Sequence, residues 1–562
     1  MNETGERVSR VYSGFRGVDF RGDEINLIRS PDSLNVWKDY KETESIRTRP
    51  ELKLAEQFPY TIHGIYFFKH RMFVHTGRRI TTKIDGEWRV LFGFANEARS
   101  NGFVFEDTFY FMDGKNYLYW DEENSQFADV VGYVPTTSIA RKPQSGGKDH
   151  EDVNMLQRRR INTFLPDGNG NEFWLDAEDI DTDFTPIVKS LDGQQLSEYT
   201  VDYKKGTITF EQVPSAPLTD GQDNISVEFA KTVDEYADGI KNCTLLQVFD
   251  NRVFVSGNPD HPNVVWHCSL NDPTYFSDKD YYREGMDEAK VTGMVAGNNA
   301  LWVFREPSDA NTNVFYHTPA VDDTYGKIYP SSHSSVTTGC IGGAINFHDD
   351  IVFFSDRGME GISGDITTEQ VVAHRSTLVD RKLLVNPEYE YMVLAEWDGY
   401  LLVFVGDEVY LADSRAVFTN EDHIEYEWFY WRLDKEVTYA KVKDGVLYVG
   451  TFDGGIYTLT DHKANVESYW VTPKDKFKYP HMQKTTNKRG CVAEATGDIA
   501  VYAKLEDTGF ELIGEYNNVT DYFVSRIKRK KFKDIQLKFH SNTRFSLETV
   551  TLEAWVGGYI KR

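Results

Sequence analysis

A recurring β-hairpin constrains the fold of this 562-residue chain more than any other feature. Seven segments each combine an apolar strand, a short polar turn and a second strand rich in aromatic and β-branched residues. Most turns contain Asp-Gly, Asp-Asn, Asn-Asn or Asp-Asp, which tolerate the positive φ that a tight hairpin requires. The segments begin at Gly64, Gly102, Leu245, Gly293, Ala344, Leu394 and Ala440.

From the third segment onward, the hairpins recur at near-equal intervals. Their turns are centred at Asn251, Asn299, Asp349, Gly399 and Gly445, roughly 46 to 50 residues apart, which is the length of one four-stranded propeller blade. The interval predicts an all-β chain that forms a β-propeller of roughly six to eight blades. The alternative, an irregular stack of unrelated hairpins, does not account for four consecutive similar intervals.

Two further β regions are expected beside the propeller. Between the second and third hairpins the interval widens to about 144 residues, and alternating strands with Gly-containing turns there predict an inserted small β-sandwich. Strand groups after the last hairpin predict a C-terminal β platform, which either closes the propeller or forms a docking sheet. The expected domains are 1–52 (N-terminal arm or platform), 53–159 (first part of the propeller), 160–232 (inserted sandwich), 233–472 (second part of the propeller) and 473–562 (C-terminal β segment).

The charge balance argues against general nucleic-acid binding. The formal net charge of -26 and the pI of about 5.0 describe a polyanion that repels nucleic acid and anionic lipid. Cations cluster locally in Gln157–Arg160 and, more densely, in the run RIKRKKFK. We interpret this second run as a docking patch or a solvated strand edge. The candidate docking residues are Arg526, Lys528, Arg529, Lys530, Lys531 and Lys533.

No cofactor or metal is expected. The four cysteines form no CxxC pair, which favours reduced, buried thiols over a zinc site or a disulfide scaffold. Asp167, Asn169, Asn171 and Glu178 match part of a calcium-loop spacing, but Glu172 stands where that loop needs glycine, so a hairpin tip is the preferred interpretation. No apolar run approaches the length of a membrane span, and the first residues lack a signal core, so we expect folding in a cytoplasm.

Enzyme motifs are missing from the sequence. We find no nucleophile elbow, no zinc-protease helix motif, no phosphate-binding loop and no dinucleotide fingerprint. Acidic pairs such as Asp349-Asp350 fall at turns, where Asp is favoured for its backbone hydrogen bonds. The sialidase Asp-box is absent too, because the string SDRGMEG lacks its spacing and its tryptophan. We therefore expect a protein that is not an enzyme.

Two segments resemble structural proteins of tailed bacteriophages. The first, Phe249–Phe276, contains Asn-Arg-Val-Phe, Gly-Asn-Pro-Asp and Asn-Asp-Pro-Thr-Tyr-Phe in that order. The second, Gly14–Leu52, contains Gly-Val-Asp, then Ser-Pro-Asp-x-x-Asn-x-x-x-Asp, then Arg-Pro. Both resemble the tail stabilisation or nozzle proteins of short-tailed phages and related neck or tail ring proteins. The polar stretch Asn258–Asn263 is then a turn between two strands of one blade.

This resemblance implies a structural virion protein of the phage tail, assembled in the host cytoplasm. About six copies would form a ring around the tail axis. The ring would contact an adaptor or portal-proximal protein on one side and a tail fibre or tail tip on the other. An acidic lumen would let genomic DNA pass without adhering, while the basic run docks on an acidic neighbour.

A receptor-binding function is the main alternative. In that case a propeller-type tail protein would recognise host surface glycan, with aromatic rings such as Trp428, Tyr430 and Trp431 as the sugar platform. Alternating burial of these rings between sheets is the simpler explanation of the YEWFYWRL strand. A glycosidase is a third alternative.

Overall fold

The structure is a computed structural model that describes residues 5–22, 26–41, 45–144, 146–309, 312–323, 326–363, 371–420, 423–460, 465–528 and 531–559. Its contacts divide the chain into unit 1, Met1–Gly77 with Ser335–Arg562, and unit 2, Arg78–Ser334. Strands dominate both units, which confirms the all-β prediction. The described helices are short: Asp238–Lys241, Asp380–Leu383 and the 3-10 turn Tyr389–Tyr391. Among the residues described, no helix has the length and apolar character to cross a membrane.

Within the ranges described above, six four-stranded antiparallel sheets, here called blades A to F, each lie within a single unit. Blade A comprises Asn101–Phe105, Thr108–Met112, Tyr117–Asp121 and Gln126–Asp129. Blade B comprises Leu245–Phe249, Arg252–Ser256, Val264–His267 and Tyr281–Arg283. Blade C comprises Val291–Gly297, Ala300–Arg305, Val314–His317 and Ser331–His333. These three belong to unit 2.

Blades D to F belong to unit 1. Blade D comprises Ala344–Phe347, Asp350–Ser355, Gly358–Ser363 and Val371–His374. Blade E comprises Val393–Trp397, Tyr400–Val405, Glu408–Asn420 and His423–Arg432. Blade F comprises Val437–Lys443, Val446–Thr451, Gly455–Thr460 and the distant strand Glu51–Gln57. Two further hairpins are Ile62–Phe68 with Arg71–Thr76 in unit 1, and Arg79–Ile84 with Glu87–Phe92 in unit 2.

The blade pattern is that of a β-propeller, as the repeat predicted. In unit 2, the first strand of blade B contacts the first strands of blades A and C. In unit 1, the first strand of blade F contacts the first strand of blade E and the strand Ile62–Phe68. Consecutive four-stranded sheets with neighbouring first strands are propeller blades. The hairpin turns have the expected conformation, since Asp250, Asn251, Asn298 and Asn299 all have positive φ.

The inserted module lies in unit 2 and has two sheets, as predicted. Its five-stranded sheet runs Lys148–Asp149, Thr136–Arg141, Arg159–Phe164, Ile225–Ala230, Ile187–Ser190, and its three-stranded sheet runs Glu172–Trp174, Thr207–Phe210, Tyr199–Asp202. Phe164, Phe173 and Phe210 pack in the core between them. The larger sheet thus extends to the strands Thr136–Arg141 and Lys148–Asp149, which precede the expected boundary at 160.

The C-terminal strands form a separate sheet rather than the outer strand of the last blade. This platform sheet joins strands from both ends of the chain, all within unit 1. Its members are Glu6–Ser13, Ser33–Leu34, Val36–Lys38, Ile46–Thr48, Ser468–Val471, Met482–Leu505, Glu511–Val519, Tyr522–Ser525, Lys531–Phe532, Ile535–Ser541 and Phe545–Tyr559. The outer strand of blade F comes instead from Glu51–Gln57, which pairs antiparallel with Gly455–Thr460.

Candidate docking platform

The N-terminal segment Gly14–Leu52 contributes aromatic side chains to the core of unit 1. The ring of Phe15 meets that of Trp470 edge-on, with centroids 5.2 Å apart. Trp37 stacks on Trp397 at 5.4 Å and meets Trp431 edge-on at 5.7 Å. Large rings buried in this way supply much of the apolar stabilisation of a core. The segment that carries the phage resemblance is therefore an integral part of unit 1.

A buried ion pair ties the same segment to blade E. The Arg29 guanidinium donates to both carboxylate oxygens of Glu427, at 2.9 and 2.7 Å, and lies 4.3 Å from the Phe418 ring centroid. Both charged side chains are nearly inaccessible to solvent. Next to it, the Ser30 hydroxyl donates to the carbonyl of Val471 at 2.8 Å. The charges of Arg29 and Glu427 compensate each other only while the N-terminal segment stays packed on blade E.

A second arginine holds the end of the segment. The Arg49 side chain donates to Asn35 Oδ1 and to the carbonyls of Pro50 and Arg432, each at 2.8 Å. Burial lowers the pKa of Arg49 to about 10. Three acceptors hold the Arg49 guanidinium in one position. Arg49 thereby fixes the end of the N-terminal segment against Arg432 of blade E.

Four strands of the platform sheet lie side by side in a continuous antiparallel ladder. Their paired ranges are 522–525, 491–494, 549–552 and 10–13. One face of this ladder is buried in the core of unit 1. Across that face, Phe523, Ala493, Val550 and Tyr12 are less than a tenth exposed.

The opposite face of the ladder carries exposed apolar side chains, here called the outer stripe. In one row across the four strands, Val524 and Val11 are 43% and 55% exposed, and Val492 and Thr551 between them are half-buried. Tyr522 and Trp555, on the same face, are also exposed. Neighbouring exposed apolar groups of this size are typical of a surface that another protein covers.

The predicted basic run follows the outer stripe directly along the chain. Arg526, Lys528, Lys531 and Lys533 are exposed, whereas Ile527 and Phe532 are buried. Arg529 and Lys530, also predicted as docking residues, lie outside the described residues. A cavity of about 230 Å³ opens beside the run and is lined by both apolar and charged side chains, Glu506 and Glu511 among them. Its lining includes Leu505, Leu512, Ile513 and Ile527 together with Arg526, Lys528 and Lys531.

A buried lysine that the sequence did not single out positions this run. Lys484 is fully buried, and its ammonium group donates to the carbonyls of Met482, Tyr479 and Lys533. Burial lowers the pKa of Lys484. No charge or spacing pattern in KDKFKYPHMQKTTNK distinguishes it from the other lysines of that stretch. Tyr479 and Met482 are close to Lys484 in the chain, whereas Lys533 is distant in sequence and meets it only in the folded protein.

The aromatic rings of the YEWFYWRL strand are buried, as the sequence favoured, which rules out the alternative that they form a sugar platform. Trp428, Tyr430 and Trp431 are each at most 3% exposed. The Trp428 indole N–H donates to the carbonyl of Arg375 at 3.0 Å, and that of Trp431 to the carbonyl of Val36 at 3.3 Å. These rings alternate into the two sides of a blade and cannot contact a ligand in solution.

Metal-binding and thiol chemistry are not evident in the described part of the chain. No group of three or more His, Cys, Asp or Glu side chains is close enough there to hold a metal ion. The carboxylate of Asp167, in the partial calcium spacing, accepts the backbone N–H groups of Asn169 and Gly170 and so shapes a turn. All four cysteines are free and buried, as expected, and burial raises the pKa of Cys268 and Cys491 to about 12.

Comparison with known proteins identifies no relative by sequence. No family model matches the chain, and no curated protein matches it. Among solved structures, streptogramin B lyase is similar with 9% identity and a TM-score of 0.35, over 73% of this chain and 98% of that one. BamB from Moraxella catarrhalis is similar with 10% identity and a TM-score of 0.34, over 74% and 98%. A computationally designed protein, Ika8, has 12% identity and a TM-score of 0.31, over 73% and 99%.

Proposed function

We propose that this chain is a non-enzymatic structural protein of a bacteriophage tail, of the nozzle or tail ring class. Copies of the chain associate into a ring, and the platform sheet of unit 1 is the surface through which a copy contacts its neighbour. In the assembled tail the ring forms part of the conduit for the ejected genome. Its contacts would be an adaptor or portal-proximal protein and a tail fibre or tail-tip protein.

The observation that carries this proposal is the position of Gly14–Leu52. The segment that resembles phage tail proteins is locked into unit 1 by Arg29, Arg49 and Trp37, beside a sheet with an exposed outer stripe and a basic run. Exposed apolar side chains next to a group of cations, as in the outer stripe and the basic run, are typical of a surface on which another protein docks. The net charge of -26 means that a neighbouring copy presents mainly acidic surface to those cations.

Electron microscopy of the purified chain, alone and mixed with virion extract, tests the proposal. We expect closed rings, or incorporation of the chain into tails. The double variant Lys528→Glu with Lys531→Glu should abolish assembly, because it places carboxylates against an acidic neighbour. Lys53→Glu with Lys69→Glu changes the net charge equally at exposed sites outside the platform sheet and should assemble normally.

Two outcomes would contradict the proposal in different ways. A chain that stays monomeric and joins no tail is not a ring component. Rings that form equally well with the charge-reversed platform would leave the structural role intact but reject the basic run as the docking surface. A glycan receptor function, the alternative, now lacks the tryptophan platform on which it depended.

A further inference from the structure

A cavity of about 580 Å³ lies in unit 2, between the inserted module and blade B. One wall is Arg160, on the inserted strand Arg159–Phe164, and the chain that leaves the module at 231–235 forms a second wall. Blade B supplies the rest through Trp266, Tyr281 and other side chains. The volume is that of a typical site for a small molecule.

Arg160 is the most informative residue of this cavity. It is 8% exposed, and its Nε forms a salt bridge with Asp176 Oδ1 at 3.4 Å, a contact that lacks hydrogen-bond geometry. Its guanidinium carbon is 5.2 Å from the centroid of the Phe229 ring. No described residue accepts a hydrogen bond from its terminal amino groups. A buried guanidinium with unused donors at a cavity wall is suited to an anionic ligand.

The other arginines of the same cluster form salt bridges that include hydrogen bonds, whereas the salt bridge of Arg160 to Asp176 does not. Arg158 forms salt bridges with Asp181 and Asp183, and Arg159 forms one with Glu228. Of the basic residues at 158–160, only Arg160 faces the cavity. Arg160 therefore has different surroundings from Arg158 and Arg159, although all three belong to one cluster of cations in the sequence.

An aromatic and a second cationic group stand on the blade B side of the cavity. The Tyr281 side chain is 42% exposed, and the Arg283 guanidinium carbon lies 5.9 Å from its ring centroid. Trp266 and His261 meet edge-on behind them, with ring centroids 5.9 Å apart. An exposed tyrosine ring offers a flat apolar surface for the C–H face of a ring-shaped ligand.

Carboxylates in the same lining restrict the class of ligand. Asp234, Glu235 and Asp278 border the cavity, and Glu235 Oε1 lies 2.6 Å from His261 Nε2. These acids accept hydrogen bonds from hydroxyl groups and repel multiply charged anions such as phosphate esters. The lining thus suits a molecule with one negative charge, several hydroxyl groups and one apolar face.

We propose that this cavity binds a carboxylated saccharide of the uronic acid type. The sugar carboxylate contacts Arg160 and Arg283, the sugar ring covers Tyr281, and the hydroxyl groups donate to Asp234 and Asp278. The site is independent of the ring-forming role, because its residues all belong to unit 2. The polar stretch Asn258–Asn263 then borders this binding site, since His261 lines the cavity.

Calorimetric titration of the full chain tests this proposal with three probes: a disaccharide containing glucuronic acid, the same disaccharide with glucose in its place, and inorganic phosphate. We expect binding of the carboxylated sugar alone. Arg283→Gln and Tyr281→Ala should each weaken it about tenfold through loss of one charged or aromatic contact. Arg89→Gln, at an exposed arginine of unit 2 outside the cavity lining, should bind normally.

Arg160→Gln should abolish binding, with Arg160→Lys as the milder change if the first variant does not fold by circular dichroism. Equal binding of the neutral disaccharide would reject the role of the carboxylate. Displacement of the sugar by phosphate at similar concentration would make the cavity a simple anion site. Absence of binding at millimolar sugar, or binding unaffected by Arg283→Gln and Tyr281→Ala, would overturn the proposal.

Discussion

Removing the positive charge of Arg29 should loosen the N-terminal segment from blade E. In Arg29→Met, the Glu427 carboxylate remains buried, 4% exposed, with both of its guanidinium hydrogen bonds lost. Leaving one partner of a buried pair uncompensated costs about 3–5 kcal/mol in the free energy of unfolding. The double variant Arg29→Met with Glu427→Met removes both charges, so it should lose less than the two single variants together, by about 2–4 kcal/mol.

Hydrogen exchange followed by mass spectrometry in increasing urea would measure these losses separately in each unit. Peptides of unit 1 should exchange faster in Arg29→Met, while peptides of blades A to C serve as an internal reference. The pair Arg432–Asp407 is a matched control, because its side chains are 55% and 34% exposed and Arg432→Met should cost less than about 1 kcal/mol. The reasoning would be refuted if the double variant lost as much free energy of unfolding as the two single variants together. It would also be refuted if Arg29→Met cost no more than Arg432→Met.

Three other variants test the cores and the platform. Trp428→Ala should destabilise unit 1 by about 3–5 kcal/mol, as judged by urea denaturation, because a fully buried indole leaves a large cavity; a loss under 1 kcal/mol would contradict its burial. Lys484→Met removes the ammonium donor from three carbonyl groups and should speed exchange at 531–541, whereas unchanged exchange would argue against the anchoring role. Burial opposes the charged form of His374, but hydrogen bonds to Asp380 and Glu360 raise the pKa of His374 to about 10. Its stabilisation is therefore complete below the unfolded pKa of 6.5 and is lost as the pH rises through about 10, so His374→Asn should flatten the decline in melting temperature between pH 7 and 10. A parallel decline in the variant would mean that another group causes it.

Parts of the candidate sites were visible in the sequence, and other parts were not. The density of cations in RIKRKKFK marked an exposed run, and Arg526 and Lys528 are indeed exposed. Charge density did not distinguish Lys484 or Arg160 from surface residues, because their burial depends on segments far away in the chain. Similarly, the aromatic strand around Trp428 has the same alternating pattern whether its rings face solvent or another sheet.

What the sequence by itself determined is local: the blades, their turns and the inserted module. A pair such as Asn298-Asn299 adopts positive φ through its own backbone and side-chain preferences, so a tight hairpin follows from neighbouring residues. The tertiary structure decided which distant segments pair. It joined Glu51–Gln57 to Gly455–Thr460 as the outer strand of blade F and assembled the platform sheet from both ends of the chain. Any strand of suitable alternation can hydrogen-bond to an open sheet edge, and only packing across the whole core selects the partner and its register.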